Sequence, residues 1–121
     1  MNKLLVAVML LAFESAAADT LSGRVVGVAD GDTVTVLGQK HEQHKVRLSG
    51  IDAPEKSQPF GSRAKQSLSD LAYGRCVSVE WRKRDRYRRI VGMVFEGGRD
   101  INLEQVRRGL AWHYKQYQSE I

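Results

Sequence analysis

At 121 residues the chain is long enough for one domain with one modest core and too short for two. Its formal charge of +5 is concentrated in residues 82–89, where six basic side chains surround one acid and one tyrosine, so a polyanionic partner is favoured over a solvated loop only with further support. A lone cysteine, Cys76, excludes an internal disulfide, and its place in the alternating run 76–81 reads as a buried small hydrophobe.

Met1-Asn2-Lys3 forms a short positive start, residues 4–13 are unbroken apolar sequence, and Ala16-Ala17-Ala18 supplies small residues before Asp19. The apolar run falls short of the roughly 20 residues needed to span a bilayer. It fits a cleavable secretory signal over residues 1–18, which leaves 19–121 as the domain and predicts a secreted or periplasmic protein with no membrane attachment after cleavage.

Residues 22–29 read as a first strand, Asp30-Gly31-Asp32 as a tight turn and residues 33–37 as a second, β-branched strand. After a polar hairpin over 38–44 comes a third strand, 46–50, completing a meander. Beyond Pro54 the period changes. Phe60, Ala64, Leu68 and Leu71 recur at helical spacing, with Gly74 as the expected C-cap. Strands follow at 76–82 and 90–95 on either side of the basic hairpin, and Gly97-Gly98 makes a turn. A second short helix is expected over 101–108, with Asn102 as N-cap and Gly109 as its end. The tail carries Trp112, Tyr114 and Tyr117. Five short strands interrupted by a helix predict a mainly-β, α+β barrel. A five-stranded oligonucleotide-binding barrel fits this size, although the pattern alone leaves other α+β layouts open.

Acids and arginines collect at three places: Asp30 and Asp32 in the first turn, Arg47, Asp52 and Glu55 after the third strand, and Arg86, Arg88 and Arg89 before the fifth. In a meander the first turn and the end of the third strand can meet. Asp32 and Asp52 would then share a hard divalent cation, whose preference is for carboxylate oxygen. Glu55 would take a proton from water, and two arginines would neutralise a phosphodiester as its charge grows. Taken singly, each acid is more simply a turn former or a solvated surface residue. His41, His44 and His113 show no metal-ligand spacing, and Trp81 and Trp112 read as core or barrel-edge residues rather than stacking platforms.

The order Val28-Ala29-Asp30-Gly31-Asp32-Thr33, then Val46-Arg47-Leu48-Ser49-Gly50-Ile51-Asp52-Ala53-Pro54-Glu55, then Phe60-Gly61 with Ala64-Lys65, then Asp85-Arg86-Tyr87-Arg88-Arg89 resembles the ordered motifs of the staphylococcal nuclease family. The resemblance runs from about Ser22 to Tyr114. It implies an oligonucleotide-binding barrel with packed helices and Ca²⁺-dependent cleavage of DNA and RNA to 3′-phosphate ends. By the same resemblance Asp32 and Asp52 are carboxylate ligands of Ca²⁺ and Ala53 offers its backbone carbonyl. Glu55 is then the general base, Arg47 and Arg89 hold the phosphate, and Tyr87 and Tyr114 contact substrate. A monomer is expected. The alternative is a non-catalytic nucleic-acid-binding module on the same barrel.

Two departures stand out. The family places a glycine between its tyrosine and arginine where this chain has Arg88, which leaves both Arg88 and Arg89 as candidates to face the phosphate. Family members also usually continue into a further helix, whereas this sequence ends at Ile121, so a domain without that helix is expected.

Overall fold

The computed structural model describes residues 18–113. The expected export signal, apart from Ala18, lies outside the described residues, as do Tyr114, Tyr117 and the rest of the tail. No helix among the described residues is long and apolar enough to cross a membrane.

Alternating β-branched residues build three antiparallel strands, β1 (Asp19–Asp30), β2 (Thr33–Gly38) and β3 (Gln43–Leu48). β1 is long enough to serve two partners. Its later half pairs with β2 and its earlier half with β5 (Cys76–Arg84), and irregularities between Val25 and Gly27 and between Val28 and Asp30 let it bend from one to the other. β5 pairs with β6 (Ile90–Glu96). The parallel register Val46↔Ile90, Arg47↔Val91, Leu48↔Gly92 then joins β6 back to β3 and closes a five-stranded barrel. Closure removes the open sheet edges. A short strand β7 (Arg99–Asp100) extends β6, and β4 (Ile51–Asp52) pairs with β8 (Trp112–His113) outside the barrel. This is the oligonucleotide-binding architecture expected from the sequence.

The inward residues of alternate strand positions, among them Val25, Val34, Val36, Val46, Leu48, Val79, Ile90 and Val94, are fully or almost fully buried. Helix α1 (Gly61–Ala72) adds Ala64, Leu68, Leu71 and Ala72, and helix α2 (Ile101–Arg107) adds Ile101. Each such Leu or Ile contributes about 1.5–3 kcal/mol by leaving water. Gly74, at φ 76°, turns the chain out of α1, and Gly109, at φ 74°, ends the α2 region.

Three expectations need correction. The N-cap of α2 is Asp100, whose carboxylate accepts from the Leu103 N–H at 3.0 Å. Asn102 lies one residue inside the helix and is buried. Cys76 is exposed rather than buried, because it opens β5 opposite Arg24 at the rim of the barrel. β1 starts three residues earlier than expected, at Asp19, since β5 offers a ladder partner as far as Trp81.

Candidate active site

The site begins with a close approach. Gly31 lies between α1 and the loop after β4, where a Cβ would stand 2.5 Å from the Ala64 Cβ and 2.9 Å from the Ala53 Cβ. Only glycine lets the β1–β2 turn tuck this deeply, and the tuck carries the next residue, Asp32, into the interior. Asp32 is 6% exposed. One of its carboxylate oxygens accepts from the Ala53 N–H at 3.0 Å and the other from the Thr33 hydroxyl at 3.1 Å. Burial, followed by a hydrogen bond with the Asp30 side chain, pushes its pKa up to about 7, against the pull of Arg47.

Arg47 joins the first motif to the second. Its Nη1 donates to the carbonyls of Leu48 and Ile51, both at 2.9 Å, which fixes the plane of the guanidinium. Its Nη2 stands 3.3 Å from an Asp52 oxygen and 3.4 Å from an Asp32 oxygen. Two carboxylates twenty residues apart thus converge on one nitrogen. Asp52 is half-exposed and is held by β4 against Trp112 of β8. Ala53 reaches Asp32 through its N–H.

The donors gathered here are all oxygen, as a hard divalent cation prefers. Among the described residues no cluster of three or more His, Cys, Asp or Glu is arranged to hold a metal. Two carboxylates converge, and backbone, water or substrate oxygen would have to complete the shell of any such ion. Burial and the neighbouring Asp30 raise the Asp32 pKa against the pull of Arg47, a setting that added positive charge would relieve.

Glu55 follows Pro54 in a loop closed by Gln58. The Glu55 N–H donates to the Gln58 Oε1 at 2.7 Å, and the Glu55 carbonyl accepts from the Gln58 N–H at 2.8 Å. Its carboxylate has no partner among the described residues. It opens on a cleft of about 500 Å³ that is also lined by Asp30, Lys56 and Ser57.

On the neighbouring β5–β6 hairpin, Asp85 organises the basic residues. Its oxygens accept from the N–H groups of Tyr87 (2.8 Å) and Arg89 (2.9 Å) and from the Arg89 Nε (2.7 Å). Burial opposes ionisation of Asp85, but the Arg89 side chain and these N–H groups outweigh it and hold the pKa below the usual aspartate value. Arg88 sits at the hairpin corner with φ 66°, the left-handed conformation that a glycine adopts without strain. Arg89 immediately precedes Ile90, the ladder partner of Val46, while Arg47 pairs with Val91. Side chains alternate along strands, so Arg89 and Arg47 share the face opposite the buried Val46 and Ile90. Arg88 falls out of this alternation at the hairpin corner. Tyr87 is 66% exposed, with the guanidinium groups of Arg86 and Arg89 at 5.1 and 5.5 Å from its ring centre. Trp81 packs partly against the core, and Trp112 is exposed on β8.

Gln105 escaped the sequence reading, and Asn102 was read there only as a cap. Buried Gln105 donates through its Nε2 to the carbonyls of Gly31 (2.8 Å) and Ala64 (3.0 Å), and its Oε1 accepts from the Ser67 hydroxyl at 2.6 Å. Buried Asn102 donates to the Ser49 and Gly92 carbonyls and accepts from the Val94 N–H. Thus α2 pins the Asp32 turn with one amide and the segment leading to Asp52 with the other. Their only sequence signal was two amides three residues apart, on the face that also buries Ile101.

Comparison with known proteins agrees with this geometry. Residues 45–121 match the family model described as staphylococcal nuclease homologue. An uncharacterized endonuclease of Haemophilus influenzae is 50% identical over 94 residues, covering 78% of this chain and 53% of the relative. An uncharacterized endonuclease of Escherichia coli is 42% identical over 101 residues, 83% of this chain and 65% of that protein. A protein named micrococcal nuclease from Shigella flexneri is 42% identical over 120 residues, 92% of this chain and 68% of its own length. The chain spans between about half and two-thirds of the length of these curated relatives. With the barrel, the ordered motifs and these matches in agreement, the chain belongs to the staphylococcal nuclease homologue family.

Proposed function

We propose that this protein is a Ca²⁺-dependent endonuclease that hydrolyses phosphodiester bonds of DNA and RNA with little sequence preference. The observation that carries the proposal is the convergence of Asp32 and Asp52 on Arg47, with the unpartnered Glu55 carboxylate on the neighbouring cleft. Asp32 and Asp52, with the Ala53 carbonyl, would hold the ion. When bound, Ca²⁺ supplies positive charge beside the phosphate oxygens and makes the phosphorus a better electrophile.

Glu55 takes a proton from a water molecule as the water oxygen bonds to phosphorus. The bond from phosphorus to the 5′ oxygen breaks, that oxygen gains a proton from solvent, and a 3′-phosphate remains. Arg47 and Arg89 neutralise the charge that grows on the non-bridging oxygens. Their planar forks suit this better than lysine does, and Arg47 needs no reorientation because two carbonyls already fix it. Tyr87, and Tyr114 beyond the described residues, lie along the substrate. The signal-like residues 1–18 support export, to a compartment where millimolar Ca²⁺ serves a weak site.

The test is cleavage of single-stranded DNA and RNA by the purified protein with Ca²⁺, with excess chelator, and by Glu55→Gln. Ca²⁺-dependent cleavage that falls about 10²- to 10⁴-fold in Glu55→Gln is expected. DNA binding without cleavage by the folded, Ca²⁺-loaded protein would instead identify a non-catalytic binding module.

A further inference from the structure

A second groove runs away from the Glu55 cleft along the outer face of α1. Ser62, Lys65, Gln66, Ser69 and Tyr73 recur there at helical spacing, and with Val28 and Lys56 they enclose about 420 Å³. Lys56 lines both this groove and the cleft of Glu55, which makes the two neighbours. The opposite face of α1 is locked into the core by Ala64, Leu68 and Leu71, which makes the groove wall rigid.

The lining has the chemistry of a polyanion track. Neither Lys56 nor Lys65 has a carboxylate partner among the described residues, whereas Arg75, Arg89 and Arg99 all do. Lys56 and Lys65 are the charged side chains of the lining, and the nearby Asp70 carboxylate accepts from the Gln66 Nε2 at 2.9 Å. At the far end, beyond the last turn of α1, the Tyr73 ring is 57% exposed. An exposed ring next to unpaired lysines is the arrangement on which single-stranded nucleic acid is held, bases stacking on the ring and phosphates following the charge. From Ser62 to Tyr73 the helix rises about 16 Å, room for more than one nucleotide.

We infer that this groove binds the single-stranded polynucleotide that flanks the phosphate being cleaved, with Lys56 and Lys65 on its phosphates and Tyr73 under a base. The inference rests on the nuclease reading for its purpose, but binding can be measured without cleavage. It makes the protein a better binder of long strands than of short ones.

The experiment compares the unaltered protein with Lys65→Ser and Tyr73→Ser, both surface changes, after circular dichroism has shown unchanged folding. The probes are a fluorescent oligothymidylate long enough to fill the groove and a thymidine dinucleotide, titrated in chelator over a range of salt. Tyr73→Ser should weaken the long probe about tenfold at every salt concentration. Lys65→Ser should lower the slope of log affinity against log salt by about 0.7, one phosphate contact on a single strand. The dinucleotide should bind all three proteins equally. Unchanged affinity for the long probe, or an equal loss for both probes, would overturn the groove. Should the unaltered protein bind the long probe but cleave nothing with Ca²⁺, the nuclease reading fails and the groove still stands or falls on these affinities.

Discussion

Asp32 carries the least comfortable charge among the described residues. Its folded pKa of about 7 lies well above the ordinary aspartate value, so between the two the metal-free folded state binds more protons than the unfolded chain. Its contribution to stability is therefore full below about pH 4 and is lost as pH rises through about 7. Urea unfolding in chelator should show stability falling between pH 5 and pH 8, and Asp32→Asn should flatten that fall. Arg88 offers a second test at this scale. A left-handed arginine costs roughly 1–2 kcal/mol, and a glycine returns part of that through its floppier unfolded chain. Arg88→Gly should thus raise unfolding free energy by about 0.5–1 kcal/mol. The hairpin bonds would survive, since they use the Arg88 backbone and the Asp85 carboxylate. That Asp32 and Asp52 could meet was legible, because the first turn of a meander and the end of its third strand lie close together. How Arg47 is held was not legible, because its partners are carbonyls that any sequence would supply.

At the scale of elements, α2 matters out of proportion to its seven residues. From α2, the Gln105 side chain bonds both the Asp32 turn and α1. Gln105→Leu keeps the volume and removes every bond, leaving two carbonyls and a hydroxyl buried without that partner. At about 1–3 kcal/mol for an unsatisfied group, with some relaxation, a loss of about 2–4 kcal/mol is expected in urea titration. The principal strands and both helices were legible through periods of two and 3.6. The two-residue strands β4, β7 and β8 were not, because a period needs more residues than they have. The α2 cap was misread for a related reason. Asp100 and Asn102 are both capping types, and only the fold shows that Asn102 is drawn inward by Ser49, Gly92 and Val94.

Over the whole molecule, barrel closure sets the distance between the two halves of the candidate site. The Asp32–Arg47–Asp52 cluster hangs on β1 to β4, the Tyr87–Arg89 hairpin hangs between β5 and β6, and only the parallel β3–β6 ladder makes them neighbours. Strand order was inferable from the motifs, whereas this parallel closure joins residues too far apart in sequence for any local pattern to announce. The same holds for Cys76, which alternates like a core residue and lies at the rim, where β5 has only just met β1.

The pairing of Ile51 and Asp52 with His113 and Trp112 bears on the order in which a ribosome releases these parts. Asp32, Asp52 and Glu55 emerge before the strand that holds Asp52 in place. Chains cut before Trp112 are expected to lose the proposed Ca²⁺-dependent cleavage, measured on labelled RNA beside the unaltered protein. Such a shortened copy carries all three acids, with nothing to hold one of them where it belongs.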